Sequence, residues 1–202
     1  MSILGHDSGQ ATGLLSPFLE NVRNRQVVKW IGPRDRVLDI GCGRAPLLDH
    51  LIRAHGDGVP YVGVDINPQV IESNARRYPS LSFVTRDLYQ LRGAFEPEAF
   101  DRICLVAVIE HVEKPDELLN DLRPLLAAKG KILFTAPRRG SETFYELGSR
   151  IGVFSHEAAE EHNENFPDRA FFERLAVGSG CRLETYQTFL CGFNQLAVFT
   201  QS

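Results

Sequence analysis

The chain has 202 residues, of which 43% are apolar and 24% charged, a length and balance that suit one three-layer α/β core. Its net charge of −4 argues against a broad nucleic-acid footprint and leaves only Arg138-Arg139 as a local basic patch. No apolar run approaches the roughly 18 residues of a membrane span, and the start, Met1-Ser2-Ile3-Leu4-Gly5-His6-Asp7, has no signal-peptide pattern.

Cys42, Cys104, Cys181 and Cys191 are scattered, with no C-x-x-C pair, which points to reduced, mostly buried thiols and a cytoplasmic location. Residues 1–13 are polar and glycine-rich and read as a mobile arm. Ser16-Pro17 opens a helix whose apolar face (Leu15, Phe18, Leu19, Val22) runs to about Ile31, and Gly32-Pro33 ends it. Val37-Leu38-Asp39-Ile40 is a short buried strand. The spacing of Leu47, Leu48, Leu51 and Ile52 predicts a helix over 46–55, with Pro46 tolerated in its first turn.

Tyr61-Val62-Gly63-Val64-Asp65 is a second buried strand that ends on a carboxylate. Asn67-Pro68 supplies an N-cap and first-turn proline for a helix to about Arg77. Leu81 to Val84 is a third strand, and Phe100 to Val106 a fourth, apolar enough to be central. Lys114-Pro115-Asp116-Glu117 opens the next helix with acids suited to its dipole; Pro124 should kink or shorten it and Gly130 should stop it. Lys131 to Ala136 is a fifth strand. Residues 137–165 turn polar and irregular, and a long insertion after a central strand is usually functional. A helix over about 168–177 and two strands, 182–189 and 194–200, complete the chain. Strands alternating with helices imply a parallel, doubly wound sheet, with an antiparallel pair at its end.

The stretch Asp39-Ile40-Gly41-Cys42-Gly43-Arg44-Ala45-Pro46 joins a strand to a helix N-terminus through glycines. Gly41 and Gly43 allow a sharp turn and a close approach of backbone to ligand, and the helix N-terminus adds free N–H groups. A dinucleotide fingerprint would need glycine or alanine three residues after Gly43, where Pro46 stands, so G-x-G-x-x-G fails. The pattern Asp39-x-Gly41-x-Gly43-x-Ala45 instead resembles the first motif of the class I S-adenosylmethionine-dependent methyltransferases. Their third position is commonly glycine. Val106-Ala107-Val108-Ile109-Glu110-His111-Val112 is similar to that family's E-H-V signature. The likeness covers residues 15–136 well and 166–202 in outline.

The resemblance implies a Rossmann-like seven-stranded sheet, mostly parallel with a reversed last strand and helices on both faces, in a single domain over 1–202. Within it, 1–35 form an N-terminal arm and helix, 36–136 the cofactor core, 137–165 a lid over the acceptor, and 166–202 a C-terminal helix and hairpin. It also implies S-adenosyl-L-methionine as cofactor, with S-adenosyl-L-homocysteine as product. On this pattern the cofactor would be held by Asp39, Gly41, Cys42, Gly43, Asp65, Ile66, Asn67, Asp87, Leu88, Val106 and Ala107.

Asp65 ends its strand where an open α/β sheet binds ligands, and would accept from both ribose hydroxyls. A helix-capping role and an NAD ribose fit the same carboxylate. Asp87 would accept from the adenine amino group, with the Leu88 N–H meeting a ring nitrogen; an exposed turn aspartate is the plainer alternative. Asp39 lies at the end of a buried strand and so needs donors; the family places this acid beside the methionine portion.

For catalysis, alignment and exclusion of water carry much of a methyl transfer. A base is needed only for an acceptor holding a proton, and His111 is the first candidate, Glu110 the second. His156 and His162, among the acids 157–164, read as a solvated face. A metal site of Glu110, His111 and His162, resembling the small-RNA 2′-O-methyltransferases, lacks its first glutamate, replaced by Ala107. No metal is therefore assigned. The expected function is methylation of a small, sugar- or lipid-linked acceptor, most readily at oxygen, by a monomer or homodimer. An NAD-dependent oxidoreductase and a non-catalytic cofactor-binding scaffold are the alternatives from other classes.

Overall fold

The computed structural model describes residues 16–138 and 166–202. The N-terminal arm and the expected lid, with His156 and His162, lie outside the described residues. The elements are α1 (Ser16–Val28), β1 (Val37–Ile40), α2 (Pro46–His55), β2 (Tyr61–Asp65), α3 (Pro68–Arg77), β3 (Ser82–Thr85), β4 (Phe100–Val106), α4 (Pro115–Leu122), β5 (Leu126–Pro137), α5 (Arg169–Gly178), β6 (Cys181–Phe189) and β7 (Asn194–Gln201). They form a seven-stranded sheet in the order β3-β2-β1-β4-β5-β7-β6. All neighbouring strands run parallel except β7, which is antiparallel to β5 and β6. The chain moves outward from β1 to β3 and then returns to the other side of β1, so the switch point lies between β1 and β4. No helix among the described residues is long and apolar enough to cross a membrane.

Strict alternation along the central strands sends side chains to two cores. Leu38, Ile40, Ile103, Leu105 and Phe134 meet Leu118, Leu119 and Leu122 of α4 and Phe172 and Leu175 of α5. On the opposite face Val37, Tyr61, Cys104, Leu133 and Val198 meet Val27 of α1 and Leu47, Leu48 and Leu51 of α2. Phe134, Phe172 and Phe199 pack with ring centroids between 4.8 and 6.2 Å, which locks the terminal hairpin and α5 to the sheet. Cys42, Cys104 and Cys181 are free and buried, and Cys191 is free and exposed.

Two boundaries differ from the sequence reading. Helix α1 ends at Val28 rather than near Ile31, because the chain turns through Trp30 N–H to Val27 O and Gly32 N–H to the Asp35 carboxylate. Gly130 does not stop α4. Pro124 does that work in a short 3₁₀ turn over Arg123–Leu125, and β5 begins at once, Leu126 pairing with Phe100. The register then slips, so that Arg102 pairs with Lys131. Gly130 sits in that irregularity, where a Cβ would lie 2.6 Å from Leu126 Cδ1.

Between β1 and β2 lies a buried polar pair. Asp39 is 2% exposed and Tyr61 3%, and the Tyr61 hydroxyl donates to Asp39 Oδ2 at 2.6 Å. Burial pushes the Asp39 carboxyl up to about 7, against the pull of that hydrogen bond and with a further push from the charge on Asp65. A carboxyl raised in the folded state keeps its proton longer than in the unfolded chain. Its contribution to stability is therefore complete below about pH 4 and is lost as pH rises toward 7. The loss is on the order of 4 kcal/mol for a shift of this size. Asp39→Asn keeps an acceptor for Tyr61 and removes the titration. Urea unfolding at pH 5 and pH 8 is expected to show the parent clearly weaker at the higher pH and the variant nearly unchanged; equal slopes in the two proteins contradict the assignment.

Candidate active site

The loop from β1 to α2 is a cradle with alternate residues in the left-handed region: Gly41 at φ 67°, Gly43 at 50° and Ala45 at 59°. Two of these are glycines and carry no strain there; Ala45 carries a methyl group in a conformation that costs an L-residue roughly 1–2 kcal/mol. A Cβ at Gly43 would meet nothing within 4 Å, so the cradle opens onto free space at that residue. Ala45 offers no side-chain cap to α2; Pro46 has no N–H and Asp49 N–H is bonded to Ala45 O, so the uncapped first-turn N–H groups are those of Leu47 and Leu48.

Three contacts fix the cradle. Gly43 N–H donates to Asp65 Oδ2 at 2.9 Å. The other oxygen, Oδ1, accepts from Asn67 N–H at 2.9 Å. From behind, the Asn74 amide of α3 donates to Gly43 O at 2.7 Å. A carboxylate has about four acceptor sites, so Asp65 retains capacity for further donors after holding two backbone groups. Asn67 caps α3 through Gln69 N–H and Val70 N–H, so Asp65 is left to the cradle. Beside it Ile66 is 67% exposed, an apolar surface at the edge of the opening.

Asp87 follows β3 and caps the short turn Leu88–Gln90, accepting from Tyr89 N–H at 2.9 Å. Leu88 is half-buried against the core. After β4, Ala107 takes a left-handed φ of 56°, its N–H shared between Thr135 O and Oγ1 at 2.9 and 3.2 Å. This bend turns Val108 onto the cradle: a Cβ at Gly41 would lie 2.6 Å from Val108 Cγ2. Thus the segment 106–111 and the glycine loop are packed together at the carboxyl ends of β1 and β4, on the switch point.

Glu110 and His111 diverge. His111 is exposed, whereas Glu110 Oε2 is buried with no hydrogen-bond partner among the described residues. Burial raises the Glu110 carboxyl above its ordinary range, and the charges of Arg23 and His111 pull it partly back. Cys42 points away from the opening; its thiol is buried near Asn74 and raised by desolvation. Only its backbone faces the loop, and its N–H is bound to Val64 O. Arg138, placed by sequence in a basic patch, holds the β6–β7 turn through Phe193 O and Gly192 O.

Tyr61, Asn74 and Arg23 were not among the sequence candidates. Asn74 had a signal, a polar residue one helical turn after buried Ile71 on the inward face of α3. Tyr61 and Arg23 had none, since both act across elements far apart in the chain.

A family profile described as "Methyltransferase domain" matches residues 14–186. The malonyl-[acyl-carrier protein] O-methyltransferase of Halalkalibacterium halodurans is 30% identical over 115 residues, which are 55% of this chain and 41% of that protein. The ubiquinone/menaquinone biosynthesis C-methyltransferase of a Ruegeria species is 24% identical over 190 residues, 83% of this chain and 75% of its own. Among solved structures, magnesium protoporphyrin IX methyltransferase from Synechocystis PCC 6803 with bound S-adenosylhomocysteine superposes with a TM-score of 0.67 at 18% identity. That superposition covers 90% of this chain and 83% of the other. The chain thus spans about two fifths of the first relative's length. With that profile over most of its residues, and the sheet order of a Rossmann-like methyltransferase fold, the chain belongs to the class I S-adenosylmethionine-dependent methyltransferase family.

Proposed function

We propose that this protein moves a methyl group from S-adenosylmethionine to an oxygen of a small, sugar- or lipid-linked acceptor. One observation carries the reading: an open cradle at Gly43, tied by its own N–H to a carboxylate with unused acceptor sites, at the switch point of the sheet. A nucleoside fits those groups. Its ribose hydroxyls are donors for Asp65, its exocyclic amino group is a donor for Asp87, and Ile66 supplies an apolar face for a ring. The Gly41–Gly43 backbone and the uncapped start of α2 suit the amino-acid portion, with Val106 and Ala107 alongside. When bound, S-adenosylmethionine supplies a methyl group on a positively charged sulfur.

The protein's own part is to align the acceptor, keep water out, and take a proton if the acceptor holds one. Glu110 presents a buried oxygen, without a hydrogen-bond partner among the described residues and with a raised affinity for protons, and His111 stands at the exposed side of the same turn. Oxygen as the receiving atom is supported by the acyl-carrier-protein relative and by a carboxyl placed to accept a hydroxyl proton; the C-methyltransferase relative makes carbon the alternative.

Calorimetric titration with S-adenosylmethionine, S-adenosylhomocysteine and NAD separates this reading from an oxidoreductase. Both sulfur compounds are expected to bind and NAD not to. Asp65→Ala is expected to weaken S-adenosylhomocysteine by about 1.5–3 kcal/mol, the range for hydrogen bonds to a charged group. Unchanged affinity in a folded Asp65→Ala protein removes Asp65 from the ribose site. Gly43→Val fills the open space of the cradle and is expected to abolish binding while the protein stays folded. Parent-like affinity in that variant shows that the ligand sits elsewhere.

A further inference from the structure

The bend after β4 is made by a residue with no preference for it. Ala107 sits at φ 56°, a left-handed conformation disfavoured for any L-residue with a Cβ. Such a backbone persists only where its surroundings impose it. Here the constraint comes from Thr135 of β5. Val106 and Thr135 are paired in register, and the Ala107 N–H is shared between Thr135 O at 2.9 Å and Thr135 Oγ1 at 3.2 Å. Thr135 is fully buried. A valine would fill the same space without the cost of burying a hydroxyl, so packing alone does not call for threonine here.

Val108, the next residue in the bend, rests on the glycine loop. A Cβ at Gly41 would lie 2.6 Å from Val108 Cγ2 and 3.7 Å from Cγ1. Gly41 is itself left-handed, at φ 67°, so its backbone has both a special conformation and a neighbour packed on it. Ile109, which follows, is buried in the core and anchors the far side of the bend. Direct contacts therefore run across three neighbouring strands, from Thr135 of β5 through Ala107 and Val108 after β4 to Gly41 after β1.

We propose that Thr135 is a positioning residue for cofactor binding: its hydroxyl holds the bend at Ala107 that seats Val108 on Gly41. The inference rests on the methyl-transfer reading, in which the Gly41–Gly43 backbone receives the amino-acid portion of the cofactor. Without the hydroxyl, the Ala107 N–H keeps one acceptor instead of two, and the disfavoured φ is free to relax. Val108 then leaves Gly41, and the ligand has to order the loop itself at a cost in affinity.

Calorimetric titration of the full chain with S-adenosylhomocysteine tests this, with thermal unfolding measured on the same samples. Thr135→Val is expected to weaken the ligand about fivefold, the scale of one neutral hydrogen bond, and Thr135→Ser to restore the parent's affinity. Thr135→Ala, which also lacks the hydroxyl, carries the decision if Thr135→Val does not fold. Val108→Ala is expected to weaken the ligand to a similar degree, and the double variant Thr135→Val/Val108→Ala no further, because both changes undo one contact. A Thr135→Val protein with parent affinity overturns the inference whatever its Tm, since a purely structural hydroxyl would move stability alone. So does a serine variant as weak as the valine one, or a double variant whose losses multiply to about 25-fold. Failure of the parent to bind S-adenosylhomocysteine overturns the methyl-transfer reading and the role of Thr135 with it.

Discussion

One carboxylate ties the carboxyl ends of β1 and β2 to the start of α3. Asp65 ends β2, and its two oxygens accept from Gly43 N–H in the loop after β1 and from Asn67 N–H at the start of α3. Three successive pieces of a doubly wound sheet are thereby fixed relative to one another at their carboxyl ends. The Gly43 bond gives one N–H of a loop with alternate left-handed residues a fixed partner. Asn74 completes the restraint from beneath by binding Gly43 O. The cradle is therefore prepared before any ligand arrives, which lowers the ordering cost of binding.

This preparation has a stability cost, and it falls on a few residues. Ala45 and Ala107 occupy left-handed conformations in which an alanine is disfavoured. Asp39 is buried with one donor, Tyr61, where a neutral side chain would be easier to bury. Glu110 Oε2 and Asn194 Nδ2 are buried with no hydrogen-bond partner among the described residues. The contacts of α4 and α5 have the opposite character, apolar side chains buried against apolar side chains.

The sheet and the glycine loop were readable because their signals are local. A buried strand, two glycines and a helix start are adjacent in sequence, Asp65 closes β2, and Asp87 follows β3. The sequence also placed the reversed hairpin from two alternating segments with a short connection. It misjudged Gly130, since a glycine between a helix and a strand reads equally as a helix stop or a strand irregularity, and only the pairing of Leu126 with Phe100 decides. Spacing alone does not show that, in the 3₁₀ turn after Ala107, Glu110 Oε2 is buried while His111 is exposed. The Arg23–Asn194 contact spans 171 positions in sequence, and no periodicity reports such a pair.

The central claim is that S-adenosylmethionine binds across this cradle, its ribose at Asp65 and its amino-acid portion over the Gly41–Gly43 backbone. X-ray diffraction from crystals grown with S-adenosylhomocysteine tests it most directly. The account predicts ribose density against the Asp65 carboxylate, adenine between Ile66 and Asp87, and the amino-acid tail over the Gly41–Gly43 backbone. Ligand density elsewhere, with the Gly43 cradle filled by solvent, would contradict it.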